Sequence, residues 1–245
     1  MNKKQALAYM YDFYNLHILR GQNDDINYYK KQIKLYNSKN ILIVGAGTGR
    51  VAIPLSEVSD VVALDKDKER LNVLLQKKSN IKTVCCDIKD FKSSKKYDMV
   101  IFPYSTIQFL ENKENIDQIL GVIRSIILSD SIVLFDISEN FNNKPEVNEK
   151  LLFEDYSTEV HDYIKVFYTA IRKDDYIEFR VSYKLLENNI LLLEDEFYYY
   201  YDKDFFCNAF EKENFQAVKI DNGYGNDILT HKYIYHVKPK KLIRK

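Results

Sequence analysis

Five residues, Gly45-Ala46-Gly47-Thr48-Gly49, follow directly on the apolar run Ile41-Leu42-Ile43-Val44. Glycines where a buried strand passes into a helix permit a tight turn and let a ligand approach the main chain closely. A helix beyond the turn adds unpaired N–H groups and the positive end of the peptide dipole. The spacing separates this turn from two others. The dinucleotide fingerprint G-x-G-x-x-G puts its third small residue where helix packs on strand, and here that position is Arg50, a poor fit for pyrophosphate. No Lys-Ser or Lys-Thr follows, which excludes a triphosphate P-loop. Two acids complete the constellation. Asp65 stands twenty residues past Gly45 and ends the apolar run Val61–Leu64; a carboxylate there can accept both hydroxyls of a ribose. Asp87 ends the run Lys82–Cys86 and precedes Ile88, so it can accept from an exocyclic adenine amine while Ile88 packs on the ring.

These groups line up only if the runs that carry them are neighbouring strands. Asn40–Val44, Val61–Leu64, Lys82–Cys86, Tyr97–Phe102 and Ser131–Asp136 read as strands, with helices expected over Arg50–Val58, Lys66–Lys77 and Asn115–Ile127. That alternation predicts a parallel α/β sheet, whose ligands bind at the carboxyl ends of the strands. After residue 150 the rhythm changes. Val160–Ile171, Tyr176–Leu186 and Ile190–Tyr201 read as a helix-free antiparallel meander, with turns at Asp174-Asp175 and Glu187-Asn188-Asn189. A helix over Asp202–Asn214 and strands Phe215–Asp221 and Tyr233–Val237 close the pattern. Ahead of it all, residues 3–37 read as a tyrosine-rich helical segment broken near Gly21. The expected domains are a helical lid over 1–37, a Rossmann-like domain over 38–140 and 202–238, and the meander over 150–201. The fold class is thus α/β: a seven-stranded, mostly parallel sheet with a terminal antiparallel hairpin, an inserted meander and an N-terminal helical lid.

Composition sets the outer bounds. Among 245 residues, 36 Lys and Arg balance 36 Asp and Glu, which argues against a dedicated nucleic-acid binder. The three cysteines, two of them adjacent at Cys85-Cys86, offer neither a disulfide framework nor zinc-ligand spacing, so no metal is expected and the compartment is read as reducing. No apolar run reaches the roughly twenty residues of a membrane span and no signal core opens the chain, giving the expectation of a cytoplasmic protein without a membrane partner.

With these residues in view, the sequence resembles the class I S-adenosylmethionine-dependent methyltransferases. Gly45-Ala46-Gly47-Thr48-Gly49 is similar to the family's glycine motif, Asp65 with Lys66 to its ribose-binding position, and Asp87-Ile88 to its adenine-binding pair. Tyr97–Phe102 resembles the fourth-strand motif, whose end, Pro103 and Tyr104 here, faces the methionine moiety. The resemblance covers about residues 5–140 and resumes at the last helix and strand pair. It is nearest to the bacterial small-molecule group related to glycine N-methyltransferases and amino-sugar N,N-dimethyltransferases, on three features: Tyr11-Asp12-Phe13-Tyr14, Ser105–Leu110, and the meander after the fifth strand. It implies that Tyr11 and Tyr14 close over S-adenosylmethionine, that S-adenosylhomocysteine is the product, and that the meander roofs the acceptor.

Methyl transfer from a sulfonium has a good leaving group, so orientation supplies much of the rate and an amine acceptor needs only a place to lose its proton. Tyr104 and His161 are the candidate catalytic residues, and Tyr104, Ser105, Gln108 and His161 the candidate contacts to the acceptor. A packed aromatic and a strand-face histidine are the plainer readings of Tyr104 and His161. Phe102-Pro103-Tyr104-Ser105 departs from the [Asp/Asn]-Pro-Pro-Tyr motif of nucleic-acid amino-methyltransferases at its first residue and its unpaired proline, so base methylation is disfavoured. The expectation is methyl transfer to a small-molecule amine by a monomer or homodimer. Methylation of a macromolecule (a protein or peptide N-terminus, or an RNA base) and a non-catalytic cofactor-binding module are the alternatives.

Overall fold

The computed structural model describes residues 2–19, 23–109, 113–138, 145–201, 203–225 and 232–240. The chain forms two compact units, residues 24–140 with 201–245, and residues 1–23 with 141–200.

The larger unit is built on a seven-stranded sheet. Strands β1 (Asn40–Val44), β2 (Asp60–Asp65), β3 (Lys82–Cys85), β4 (Tyr97–Phe102) and β5 (Ile127–Ser138) run parallel. The hairpin of β10 (Phe215–Asn222) and β11 (Lys232–Pro239) completes the order β10-β11-β5-β4-β1-β2-β3, with β11 antiparallel to both neighbours. The expected fold class is therefore the observed one. Strand β1 has β2 on one side and β4 on the other, so the winding reverses there and opens a crevice above their carboxyl ends.

Helices of this unit cover the sheet. In α5 (Lys113–Ile126), Ile116, Ile119, Leu120, Ile123 and Ile126 recur at helical spacing and are all buried. Helix α4 (Lys68–Lys77) starts where the Asp67 carboxylate accepts from the N–H groups of Glu69 and Arg70. Helix α2 (Asp24–Leu35) sets Tyr29 and Ile33 into the core with Ile41, Ile43, Met99, Ile101, Leu134 and Ile234. The alternate residues of β4 and β5 stack Phe102 on Phe135 at 4.8 Å and Phe135 on Phe210 of α6 (Lys203–Lys212) at 5.2 Å. Helix α3 is shorter than expected, Ala52–Leu55 instead of Arg50–Val58, because the Ser56 hydroxyl donates to the Ile53 carbonyl and the chain leaves in turns.

The smaller unit is an antiparallel sheet, β6 (Val147–Ser157), β7 (Asp162–Arg172), β8 (Tyr176–Leu185) and β9 (Ile190–Tyr199), in sequential order. Helix α1 (Lys3–Leu19) lays Ala6, Met10 and Phe13 on Ile164, Val166, Val181, Tyr183, Leu185 and Leu192. The sequence pattern leaves β6 out, since register shifts between Val147 and Lys150 and between Leu151 and Phe153 break its alternation. Segment 1–37 is divided between the units: α1 belongs with the meander, α2 with the large sheet. Among the described residues no helix is long and apolar enough to cross a membrane, and no group of three or more His, Cys, Asp or Glu could hold a metal.

A buried polar network ties α2 to the terminal hairpin. Tyr28 donates to Asp221 at 2.7 Å, and Tyr36 lies 2.9 Å from Nδ1 of His236, whose Nε2 is 2.9 Å from the same carboxylate. Tyr36 donating to Nδ1 leaves the ring proton on Nε2, pointing at Asp221. Burial holds the His236 imidazole below its ordinary 6.5, outweighing Asp221. The folded chain thus keeps the ring neutral where the unfolded chain protonates it. This contribution is complete above pH 6.5 and is lost as pH falls below it, at no more than about 1.4 kcal/mol per pH unit. Urea titrations between pH 7.5 and 5 should show that slope, and His236→Gln should flatten it.

Candidate active site

The crevice is assembled by contacts between the ends of β1, β2 and β4. The turn after β1 places Gly45, Gly47 and Gly49 at φ +70°, +54° and +92°, a region costly for other residues. A Cβ on Gly45 would lie 2.5 Å from Cγ2 of Thr106, so the turn after β4 is packed against the glycine itself. The Asp65 carboxylate, at the end of β2, accepts from Gly47 N–H at 2.7 Å and from Asp67 N–H at 2.8 Å. The turn and the proposed ribose acid are therefore one hydrogen-bonded unit, with acceptor positions on the carboxylate to spare. Ala46 N–H donates to the Leu64 carbonyl at 2.9 Å, Thr48 is buried and its carbonyl accepts from the Lys77 ammonium at 3.2 Å, and Lys66 is exposed beside Asp65. Asp87 is part-exposed and accepts from Lys89 N–H at 2.9 Å, over the buried side chain of Ile88. The expected dipole of a long helix after the glycines is absent, since α3 has one turn.

Beyond β4, Pro103 is buried, and Tyr104 and Ser105 are both left-handed, at φ +54° and +60°. Thr106 closes this bend by donating N–H and hydroxyl to the Pro103 carbonyl. Gln108 was expected to face an acceptor. Its amide donates to the Ser138 carbonyl of β5 at 3.0 Å and accepts from Ser138 N–H at 2.7 Å. These bonds tie the turn after β4 to the end of β5. His161 is exposed, left-handed at φ +52°, and sits in the turn between β6 and β7 of the smaller unit. Tyr11 and Tyr14 are part-buried on α1 of that unit, with the Tyr14 ring 6.4 Å from Phe153.

Two ion pairs at this edge escape the sequence reading. Arg50 pairs through both terminal nitrogens with the buried Asp25 of α2, tying the glycine turn to that helix. Asp136, fully buried on β5, accepts from Tyr104 N–H at 2.9 Å and from the Tyr224 hydroxyl, and lies 3.6 Å from the Lys232 ammonium. Burial pushes its carboxyl above the usual carboxylate range, against Lys232 and the Tyr104 N–H, which hold it down. An acid ending an apolar strand, the signal that singled out Asp65, also marks Asp136.

The fold has solved counterparts. An S-adenosylmethionine-dependent methyltransferase from Clostridium acetobutylicum superposes with a TM-score of 0.80 at 13% identity, over 96% of this chain and 99% of that one. A sugar N-methyltransferase from a Streptoalloteichus species gives 0.77 at 11% identity, over 94% and 93%. An amino pentose methyltransferase from Micromonospora echinaspora, involved in calicheamicin biosynthesis, gives 0.73 at 11%, over 92% and 96%. At such identities the likeness speaks for the fold. No curated protein matches in sequence. Residues 41–127, which hold the glycine turn, Asp65, Asp87 and the bend after β4, match the family model of a methyltransferase domain. The chain thus carries a methyltransferase domain over residues 41–127, on a fold it shares with S-adenosylmethionine-dependent methyltransferases.

In this methyltransferase the contact between Gly45 and Thr106 leaves no room for a side chain. Gly45→Ala should cost about 1–3 kcal/mol in urea denaturation, from the left-handed backbone and the displaced Thr106. Gly121→Ala, in α5 with open space around its Cβ, should instead stabilise by roughly 0.4–1 kcal/mol. Equal effects would mean that the contact does not constrain the turn.

Proposed function

We propose that this methyltransferase transfers a methyl group to the nitrogen of a small-molecule amine. The observation that carries the reading is the juxtaposition, above β1 and β4, of the Asp65-braced glycine turn with the Tyr104-Ser105 bend. The residues fit a nucleoside-type cofactor: glycine main chain in a conformation that leaves the backbone open, an acid with spare acceptor capacity, and a second acid above an apolar surface. The sugar N-methyltransferase and the amino pentose methyltransferase that share the fold support an amine acceptor.

S-adenosylmethionine, when bound, supplies an electrophilic methyl on sulfur and a neutral leaving group. Gly45, Ala46, Gly47, Thr48 and Gly49 form the turn that receives it. Asp65, with Lys66 beside it, takes the ribose hydroxyls; Asp87 and Ile88 take the adenine; Pro103 borders the methionine end. Tyr104 and Ser105 orient the acceptor. Gln108 holds the bend in place, so that the distance between the two reactants is set by a braced backbone. An amine acceptor then requires only a proton sink.

Calorimetry with S-adenosylhomocysteine tests the cofactor half. Binding is expected, and Asp65→Ala should weaken it roughly tenfold or more, the value of hydrogen bonds to a charged group. Asp87→Ala should weaken it less. Transfer of labelled methyl from S-adenosylmethionine into a cell extract tests the acceptor half. Label is expected in the low-mass filtrate, and label retained with protein or RNA would overturn the small-molecule reading.

A further inference from the structure

Lys232, at the start of β11, is seated in an unusual way. Its Nζ stands 4.3 Å from the centroid of the Tyr104 ring, 5.4 Å from that of Tyr224, and 3.6 Å from Oδ2 of Asp136. Two aromatic faces and one carboxylate around a nitrogen cation are the components of an ammonium-binding box. Lys232 fills the box loosely, because 3.6 Å exceeds the 2.7–2.9 Å of a close charge-assisted hydrogen bond. Asp136 is fully buried, and its Oδ1 has no hydrogen-bond partner among the described residues, although Oδ2 accepts twice. A buried carboxylate oxygen in that state holds acceptor capacity that the protein does not use. One wall of the box, Tyr104, is held left-handed together with Ser105; strain of this kind persists where the surroundings enforce it. Lys232 itself is 11% exposed at its side chain and sits on a flexible four-carbon stem, so its ammonium can leave without disturbing the strand.

We propose that the box formed by Asp136, Tyr104 and Tyr224 is the ammonium subsite for the methyl acceptor, and that Lys232 fills it in the free protein. The inference rests on the proposed function and narrows the acceptor to an amine that arrives as its cation. An incoming alkylammonium displaces the Lys232 ammonium and pairs with Asp136. Before its nitrogen can form a bond to carbon it must give up a proton. That proton passes to the Asp136 carboxylate, giving a neutral amine with a free electron pair and a neutral carboxylic acid. Burial, which disfavours the carboxylate, favours this transfer. The amine is then held against Tyr104, and the acid returns its proton to solvent when the product leaves.

Deleting the lysine stem opens the box to a probe of the same shape, n-butylammonium. Lys232→Ala should lower the thermal midpoint, because Asp136 loses its cation, and n-butylammonium should restore it saturably by about 3 °C or more. The wild type, in which the probe must displace Lys232, should respond less, and the double variant K232A/D136N should not respond. Absence of rescue in K232A, or equal rescue in the double variant, would overturn the proposal. The acceptor role has its own readout. In the extract assay, n-butylammonium at concentrations that saturate K232A should inhibit that variant's label transfer into the extract's own low-mass acceptor, separated from any methylated butylamine, by severalfold, and undiminished transfer to that acceptor would overturn the proposal. Should K232A fail to fold, Asp136→Asn keeps an acceptor for Tyr104 N–H and Tyr224. It should raise the half-saturating concentration of the filtrate acceptor tenfold or more, and an unchanged value would overturn the proposal. Binding of S-adenosylhomocysteine by the wild type, measured alongside, separates failure of the box from failure of the proposed function.

Discussion

The carboxylate of Asp65 is the joint on which this site depends. It takes Gly47 N–H from the first turn and Asp67 N–H from its own, so the ends of β1 and β2 are locked in one geometry. Asp67, steadied in this way, caps α4 with its side chain. A charged acceptor with two main-chain donors in a buried setting is worth more than a neutral pair and leaves capacity for further donors. The close packing of Thr106 on Gly45 carries the same constraint to β4. Three strand ends thereby become one surface, although each turn taken alone is a short, glycine-rich or strained segment.

The positions that the sequence made legible are those whose cause is local. Ile41–Val44 and Val61–Leu64 are continuous apolar runs because both faces of a parallel strand are covered. The glycines announce a left-handed backbone, and Asp65 and Asp87 stand where strands end. The bonds of Gln108 are not legible in the sequence because their partner, Ser138, is thirty residues away, and an amide bonded to a main chain looks the same in sequence as one offered to a ligand. Strand β6 stayed hidden because two bulges interrupt its period. Asp25, Tyr224 and Lys232 carry no local mark, since each matters through a partner that only tertiary structure supplies.

The two ion pairs at the carboxyl edge of the sheet divide the electrostatics of the site. Arg50 and Asp25 are bound through both guanidinium nitrogens and fasten helix to turn, a pairing that a planar cation makes well. Lys232 and Asp136 make a looser pair, with aromatic rings supplying part of what hydrogen bonds would. The Tyr104 ring lies near both cations, its centroid 5.6 Å from the Arg50 guanidinium and 4.3 Å from the Lys232 ammonium.

The position of β11 has a consequence for how the chain is made. It lies between β5 and β10, so the outer edge of β5 pairs only with a strand ending at Pro239. A ribosome delivers residues from the amino end, and the whole meander is synthesised in between. Throughout that interval the nascent chain carries an open, strongly apolar strand margin, Ile132 to Phe135, of the kind that recruits other chains. The last hundred residues are therefore the interval in which newborn copies of this protein are most in need of a chaperone.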